Sequence, residues 1–548
     1  MIYAYFPYGG EALASHQATK IREFSSFPSP SQRALISAML EPSFYPKGAS
    51  EVGYKETHIS HIFFVGDLVY KIKKSIRFSF LDFSTLAKRK FFLQEELRLN
   101  RRLAPSVYLG ILPISHENEC WQLGSDVRPV EYTLVMRRLP ESRMLDFLVE
   151  RDQGTREMMR SLAEYLAPFH TQAATGGRIN NVGNPLSVRN LWDENLADIR
   201  PYVGRLLDSE SFKALKDFGP CFIAGHKDLF VRRVLEDRIR ELHGDLHCEH
   251  ICFPPEGIQI FDCIEFSPRL RYCDVASEIA FLVMDLEFRG AKDLAQDFLA
   301  RYKELADDDE FPLLLPFYKC HRALVRGKVA ALRSGGTSPQ ASAYFAYACR
   351  VRWEASQPFL LLISGLTGSG KSTLAQEMSH RLGMRIINSD ATRKALAGNL
   401  KRQVAVPYAE GIYSPSKTRQ TYVKMAEEAE RFVLKGEGAI LDATFHQKFQ
   451  RETILNLASK HRIPVAMIHC YSSDEVVRER LKRRAEEGSD LSDGRWEIYL
   501  KQGAVFEPFE EVPPNNYLSL NTEADISALG KKVEQFLQRL FSCKEGIS

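Results

Sequence analysis

The chain has 548 residues, with 73 lysines and arginines against 70 aspartates and glutamates for a formal charge of +3. That balance excludes a global affinity for polyanions, so nucleic acid would need a local basic patch. The length exceeds what one core fills, and 44% hydrophobic with 26% charged residues is a globular composition.

Residues 1–50 are read as a helical extension. Met1-Ile2-Tyr3-Ala4-Tyr5-Phe6-Pro7 lacks the basic region, apolar core and cleavage site of a leader, and no run in the chain approaches the roughly eighteen apolar residues of a membrane span. The expected location is the cytoplasm, with no membrane partner. Ten cysteines at irregular spacings predict reduced thiols rather than a disulfide framework.

Residues 51–335 read as the first full domain. His61 to Val65, the Gly66-Asp67 turn and Leu68-Val69-Tyr70-Lys71 predict a hairpin that delivers Lys71 at a strand's end. Phe91 to Leu103 is helix-like and carries Glu96, a carboxylate able to pair with Lys71. Further on, His243-Gly244-Asp245-Leu246-His247-Cys248-Glu249-His250-Ile251 precedes Ile260-Phe261-Asp262 across a short hairpin-like gap. In a eukaryotic-like kinase fold the first of these aspartates, Asp245, would be the catalytic base and the second, Asp262, would hold Mg²⁺. His243, His247, Cys248, His250, Cys252, Cys263 and Cys273 raise zinc as a rival. Structural zinc sites pair their ligands as Cys-x₂₋₄-Cys and His-x₃₋₅-His, whereas these alternate through a loop and its strands. Asp274, Glu278 and Asp285 are expected to cap and buttress the apolar helix around Val275 to Leu286.

Arg333-Ser334-Gly335-Gly336-Thr337-Ser338-Pro339 is flexible punctuation, and residues 336–357 read as a linker helix ending at Ser356-Gln357-Pro358. The second domain then spans 358–548. Its first strand, Phe359 to Ile363, runs into Gly365-Leu366-Thr367-Gly368-Ser369-Gly370-Lys371-Ser372-Thr373 and a helix to Leu382, the strand–loop–helix context of a phosphate-binding loop. Glycines let successive backbone N–H groups turn inward around a polyphosphate, Lys371 reaches the β and γ phosphates, and the Ser372 hydroxyl is placed for Mg²⁺. The expected cofactors are ATP and Mg²⁺.

Met384 to Asn388 reads as a strand ending at Ser389-Asp390, with Arg393 three residues on. That pair could supply a base for an attacking hydroxyl and a guanidinium for an anionic part of the acceptor. The alternative is a helix cap beside a salt-bridging arginine. Ser416 to Lys435 reads as helix, and Ala439-Ile440-Leu441 as a strand into Asp442, where P-loop proteins place a carboxylate that contacts Mg²⁺. A helix N-cap is its plain alternative. Pro464 to Cys470, Tyr517 to Leu520 and the helix Ile526 to Phe541 complete a βαβα alternation, hence a parallel sheet with helices on both faces. Arg480 and Arg484 share a helical face before the polar stretch Gly488 to Asp493, which suits a mobile lid. Such arginines can stabilise charge on a transferring phosphoryl group, or form a solvated face.

The loop, Ser389-Asp390-Ala391-Thr392-Arg393-Lys394, Leu441-Asp442-Ala443-Thr444-Phe445 and Arg480-Leu481-Lys482-Arg483-Arg484 together resemble P-loop small-molecule kinases of the predicted-kinase group, related to gluconate-kinase-like, zeta-toxin-like and polynucleotide-kinase-like proteins. The resemblance implies Asp390 as general base, Arg393 as acceptor-binding arginine and a helical lid. The Lys71, Glu96, Asp245 and Asp262 set, with Glu56-Thr57-His58-Ile59-Ser60 and Leu99-Asn100-Arg101-Arg102-Leu103, resembles the aminoglycoside phosphotransferase group. That implies a bilobal α+β, protein-kinase-like first domain, with Lys71 and Glu96 positioning phosphates. Five residues after the base such kinases carry an asparagine that ligates a second Mg²⁺; here His250 stands there, a poorer match for a cation that prefers oxygen. The first domain is therefore read as either a second kinase or a substrate-recognising module. The expected function is transfer of the γ phosphate of ATP to a hydroxyl of a small molecule. The alternatives are a nucleotide-gated regulatory ATPase and a polynucleotide 5′-end kinase using the Lys482 to Arg484 patch.

Overall fold

The turn at Gly66-Asp67 lies within a six-stranded antiparallel sheet. A computed structural model describes residues 30–46, 50–78, 81–397, 411–487 and 495–541, and the chain divides into two units. The first comprises Met1–Leu206 with His226–Tyr344, the second Leu207–Gly225 with Phe345–Ser548. The break thus falls inside the expected linker helix, and the helix Ser209–Gly225 belongs with the C-terminal unit.

The first unit's sheet contains β1 (Gly53–Glu56), β2 (Ser60–Val65), β3 (Leu68–Lys73), β4 (Tyr108–Glu117), β5 (Cys120–Leu123) and β6 (Pro129–Arg137), in the order β1-β2-β3-β6-β4-β5. Gly66 takes φ +55°, so the two-residue connection closes without a Cβ clash. Alternation along β3 sorts its side chains. Tyr70 and Ile72 pack with Phe63, Leu35, Met39 and Tyr45, so the helix Pro30–Met39 joins this core rather than standing apart as an extension. Val69 packs on the opposite face with Leu93 of the helix Leu86–Asn100. Lys71 and Lys73 share that face by the two-residue period. The helix is capped by the Thr85 hydroxyl and buries Arg89, Leu93, Glu96 and Asn100 at spacings of three and four, which sets Glu96 against the sheet.

Four short strands, β7 (Ile239–Glu241), β8 (Ile251–Cys252), β9 (Gln259–Ile260) and β10 (Tyr272–Asp274), pair as β7 with β10 and β8 with β9. Around them lie helices including Arg156–Gln172, Val275–Phe288 and Phe311–Arg333. Every residue from Val275 to Leu286 is buried, as expected of a central helix.

In the second unit β11 (Leu360–Ser364), β12 (Arg385–Asn388), β13 (Ala439–Asp442), β14 (Val465–Tyr471) and β15 (Tyr517–Asn521) form a parallel sheet ordered β12-β13-β11-β14-β15. β11 is buried on both faces, the usual state of a central parallel strand. Leu361 and Ile363 pack with Ile440, Ile468 and Leu374. Leu360 and Leu362 pack with Leu441, Met467 and Met425 on the other side. The chain leaves β11 towards β12 and later crosses back to β14, so the carboxyl end of β11 is a topological switch point, where such sheets bind ligands. Among the described residues, no helix is long and apolar enough to cross a membrane. Among the described residues eight cysteines are free thiols, and Cys221 is disulfide-bonded.

Candidate functional site

The loop after β11 turns into the helix Lys371–Leu382 at Gly370, whose φ of +83° only glycine adopts easily; a Cβ there would lie 3.0 Å from Thr522 Oγ1 and 3.2 Å from Arg480 Nη1. At Gly365 a Cβ would sit 2.5 Å from the Cys470 carbonyl oxygen. The loop is therefore wedged against β14 and the end of β15, with its backbone shape set by these neighbours. Gly368 lies within it, and Lys371, Ser372 and Thr373 begin the helix, whose first N–H groups are the natural place for an anion. The Thr367 N–H donates to Gln502 Oε1 at 3.0 Å, while Thr367 Oγ1 and Ser369 Oγ are buried with no hydrogen-bond partner among the described residues.

Asp442 ends β13 beside Ile363 of β11 and Asn388 of β12. Its Oδ2 accepts from Asn388 Nδ2 at 2.7 Å, and its Oδ1 is buried with no partner among the described residues. A buried carboxylate oxygen without a donor calls for a cation or water. Asp442 and the Ser372 hydroxyl are both oxygen donors, the chemistry that Mg²⁺ prefers. Asp442 is thus not a helix cap. Asn388 is: its Oδ1 accepts from the N–H groups of Asp390 and Ala391 and starts the helix Ser389–Leu396.

On that helix Arg393 Nη1 donates to Asp390 Oδ1 at 2.8 Å, and the guanidinium lies 4.7 Å from the Tyr413 ring centre. Arg393 Nε has no hydrogen-bond partner among the described residues, so a donor remains for an anionic group. Arg480 departs from the lid expectation. Its Nη1 donates to Ser472 Oγ at 2.9 Å and Thr522 Oγ1 at 3.0 Å, and its Nη2 to the Thr522 carbonyl at 2.7 Å. Burial lowers its pKa from the ordinary arginine value, with Arg484 and Arg483 acting in the same direction and Glu523 against it. Arg480 is therefore a brace between the loop and the end of β15. Arg484, one turn on, is half-buried, and the lid stretch Gly488 to Asp493 lies outside the described residues.

In the first unit, Lys71 Nζ is 2.6 Å from Glu96 Oε1 and 3.2 Å from Asp262 Oδ1, so the hairpin lysine, the helix glutamate and the later aspartate meet. Lys73 extends the network, 2.5 Å from Glu96 Oε2 and bonded to Glu265. All five groups are buried. Burial pushes the Asp262 carboxyl up, but the charge and hydrogen bond of Lys71 together with His250 outweigh it and hold it down at about 2. Asp262 adopts φ +64°, and its Oδ2 has no hydrogen-bond partner among the described residues. It lies 3.6 Å from His250 Nε2. A cation held there would meet one carboxylate oxygen and one imidazole nitrogen, a poorer match to Mg²⁺ than the Asp442 set.

Asp245 is 3.6 Å from His247 Nε2 and 3.7 Å from His250 Nδ1. The three side chains offer ligand atoms within 4.8 Å of one another, a grouping that the zinc spacing rules do not anticipate. His250 Nδ1 also lies 2.9 Å from the Asp245 carbonyl, and His247 Nε2 lies 3.1 Å from the Arg326 guanidinium. Asp274 accepts from the Ala276 N–H and caps the helix Val275–Phe288, as expected, whereas Glu278 accepts from the N–H groups of His243 and Gly244 and Asp285 from that of Cys248, so these two brace the loop that carries Asp245. Beside this set a cleft of about 750 Å³ is lined by Val69, Val107, Met136, Leu139 and Phe261.

Lys73, Glu265, Asn388 and Gln502 are among the site residues that the sequence does not announce. Lys73 has a usable signal, because it sits two residues from Lys71 on the same strand face; Gln502 has none.

Residues 360–509 match the model of an AAA domain family. The uncharacterized protein Rv2004c of Mycobacterium tuberculosis is 31% identical over 446 residues, covering 80% of this chain and 88% of that protein. Mb2027c of Mycobacterium bovis matches to the same extent. Among solved structures, a gluconokinase from Sinorhizobium meliloti matches at 17% identity, 34% of this chain and 93% of that chain, with a TM-score of 0.26. The Mycobacterium tuberculosis APS kinase CysC, in complex with AMPPNP and APS, matches at 17% identity, 33% of this chain and 98% of that chain, with a TM-score of 0.25. By its identity to the mycobacterial proteins and the length it shares with them, the chain belongs to their family, with a P-loop NTPase domain in its C-terminal unit.

Proposed function

We propose that the chain is an ATP- and Mg²⁺-dependent phosphotransferase whose C-terminal unit moves the γ phosphate to a hydroxyl of a small molecule. The observation that carries this reading is the buried, donorless Oδ1 of Asp442 at the switch point beside the Gly365–Ser372 loop. Asp442 and Ser372 would hold Mg²⁺, which neutralises phosphate charge when bound. Backbone N–H groups of the loop and Lys371 orient the triphosphate. Asp390 accepts the proton of the attacking hydroxyl, with Arg393 steering the acceptor through its remaining donor.

The N-terminal unit is a second, kinase-like site, supported by the Lys71–Glu96–Asp262 chain of contacts and the adjoining cleft. There Lys71, fixed by Glu96, positions phosphates and Asp245 serves as base.

The test is a metabolite screen with γ-labelled ATP on the full-length protein and its single-site variants. Lys371→Ala abolishes transfer at the C-terminal site, and Lys71→Met abolishes any at the N-terminal one. Asp390→Asn lowers kcat by about 10²-fold or more while nucleotide affinity stays. Full turnover in Asp390→Asn removes the base assignment. Slow ATP hydrolysis without any labelled product replaces the kinase with the nucleotide-gated switch.

A further inference from the structure

Asp245 opens onto a second cavity of about 390 Å³ in the first unit. Its walls are apolar, with Val188, Leu191, Ile264, Phe317, Val325 and Val329 among them. The volume lies in the range that encloses a small organic molecule.

The charged groups around the cavity are already matched. Glu194 is bridged to Arg269 at 2.8 Å, and Asp198 to Lys328 at 3.1 Å. Asp274 is held by Arg233 at 2.6 Å. Arg322 donates to the Gly244 carbonyl and to Ser277 Oγ, and its guanidinium stacks 4.8 Å from the centre of the Phe281 ring. A polycationic ligand needs several carboxylates with spare charge, and Glu194, Asp198 and Asp274 each have a cation. An apolar body loses nothing on entering and gains the area it buries.

We propose that this cavity is an acceptor site and that it takes a neutral alcohol with an apolar ring or chain, not a polyamine sugar. The inference rests on the kinase-like reading of the N-terminal unit. In the transfer, the alcohol oxygen forms a bond to the γ phosphorus of a nucleoside triphosphate as the bond from that phosphorus to the β–γ bridging oxygen breaks. The hydroxyl proton passes to Asp245, and nucleoside diphosphate leaves.

The experiment titrates the full-length protein with 2-(1-naphthyl)ethanol and with kanamycin, by calorimetry, and follows transfer from labelled ATP to each. The naphthyl alcohol binds at least about ten-fold tighter than kanamycin. Val188→Trp, which fills the cavity, weakens the alcohol about ten-fold or more, with folding checked by circular dichroism. Lys328→Gln frees the Asp198 carboxylate and keeps a polar side chain of similar reach in the lining, so it raises kanamycin affinity and leaves the alcohol within about two-fold; this variant decides the matter should Val188→Trp not fold. Asp245→Asn keeps alcohol binding and loses transfer. Kanamycin binding as tightly as the alcohol, or no saturable alcohol binding, overturns the proposal. Alcohol binding that Val188→Trp blocks, with no labelled product in the wild type, upholds the cavity's chemistry and overturns the kinase-like reading alone.

Discussion

Asn388 holds two tasks with one side chain. Its Nδ2 donates to Asp442 Oδ2 at 2.7 Å while its Oδ1 caps the helix that carries Asp390 and Arg393. The carboxylate read as a metal ligand and the carboxylate read as a base are thereby set by the same amide. Asn388→Ala removes the cap and leaves Asp442 without its donor, so it costs about 2 kcal/mol of stability. Asn388→Asp keeps the cap but sets a second carboxylate against Asp442. In urea unfolding of the C-terminal unit both variants lose stability. In magnesium titration Asn388→Asp changes affinity far more than its stability loss explains. Equal metal affinity in all three proteins would break the link.

The bond from the Thr367 N–H to Gln502 Oε1 occupies a loop amide that a bound phosphate would use. Binding nucleotide must break it, at about 1 kcal/mol. Gln502→Ala therefore binds a non-hydrolysable ATP analogue about five-fold tighter than wild type. Weaker binding would show instead that Gln502 helps to hold the loop open for its ligand.

Much of the C-terminal unit is legible because its signals are local. Leu360 to Ser364 is buried from both sides and reads as an uninterrupted apolar strand, and the glycine positions of the loop follow it at once. Asp442 and Asp390 are singled out by their place after apolar strands, and the structure sets them at the end of β13 and in the first turn after β12. Gln502 is not, because it lies 135 residues from Thr367 on a helix whose other residues say nothing of phosphate. The contacts of Arg480 are hidden for a similar reason: helical spacing gives its face, but not the Ser472 and Thr522 oxygens that engage it. The helix Ser209–Gly225 is plain as a helix, yet nothing in its pattern says that its apolar side belongs to the other unit's fold. In the first unit, β4 hides because its register slips between Tyr108 and Gly110 and again between Ile114 and Ser115, which breaks the alternation that marks a strand.

The buried network of Lys71, Lys73, Glu96, Asp262 and Glu265 predicts non-additive mutational effects. Glu96→Gln withdraws the partner of two buried ammonium groups and destabilises the first unit by about 3–5 kcal/mol. Lys73→Met alone leaves Glu265 buried without its cation and is similarly harmful. Lys73→Met with Glu265→Leu replaces a buried pair by apolar groups of like size, so the double variant recovers most of the loss. Chemical unfolding of the four proteins measures the coupling. Additive losses would mean that the Lys73 and Glu265 side chains do not interact in the folded protein.

Acid sensitivity of the loop around Asp245 follows from its histidines. Burial pushes His243 down to about 4, although Glu278 pulls the other way, and burial pushes His247 down to about 3, with His250 and Arg326 adding to it. Unfolded histidines take up protons near pH 6.5, whereas these stay neutral in the fold until well below that. Between pH 6.5 and about 4 the unfolded state binds more protons, so the stability contributed by neutral burial is complete above pH 6.5 and falls as the solution is acidified. Glu278 adds a later loss: burial pushes its carboxyl up, but the His170 imidazole 3.5 Å away, His243 and the Gly244 N–H together outweigh burial and hold it at about 2, so its contribution fades only below the ordinary glutamate range. Hydrogen exchange at the amides of His243 and Gly244, corrected for intrinsic rate, reads this directly, because both bond to Glu278. Their opening free energy falls between pH 7 and pH 5, and His243→Asn flattens that slope. Protection that is constant over the same range would mean that these imidazoles are not buried neutral.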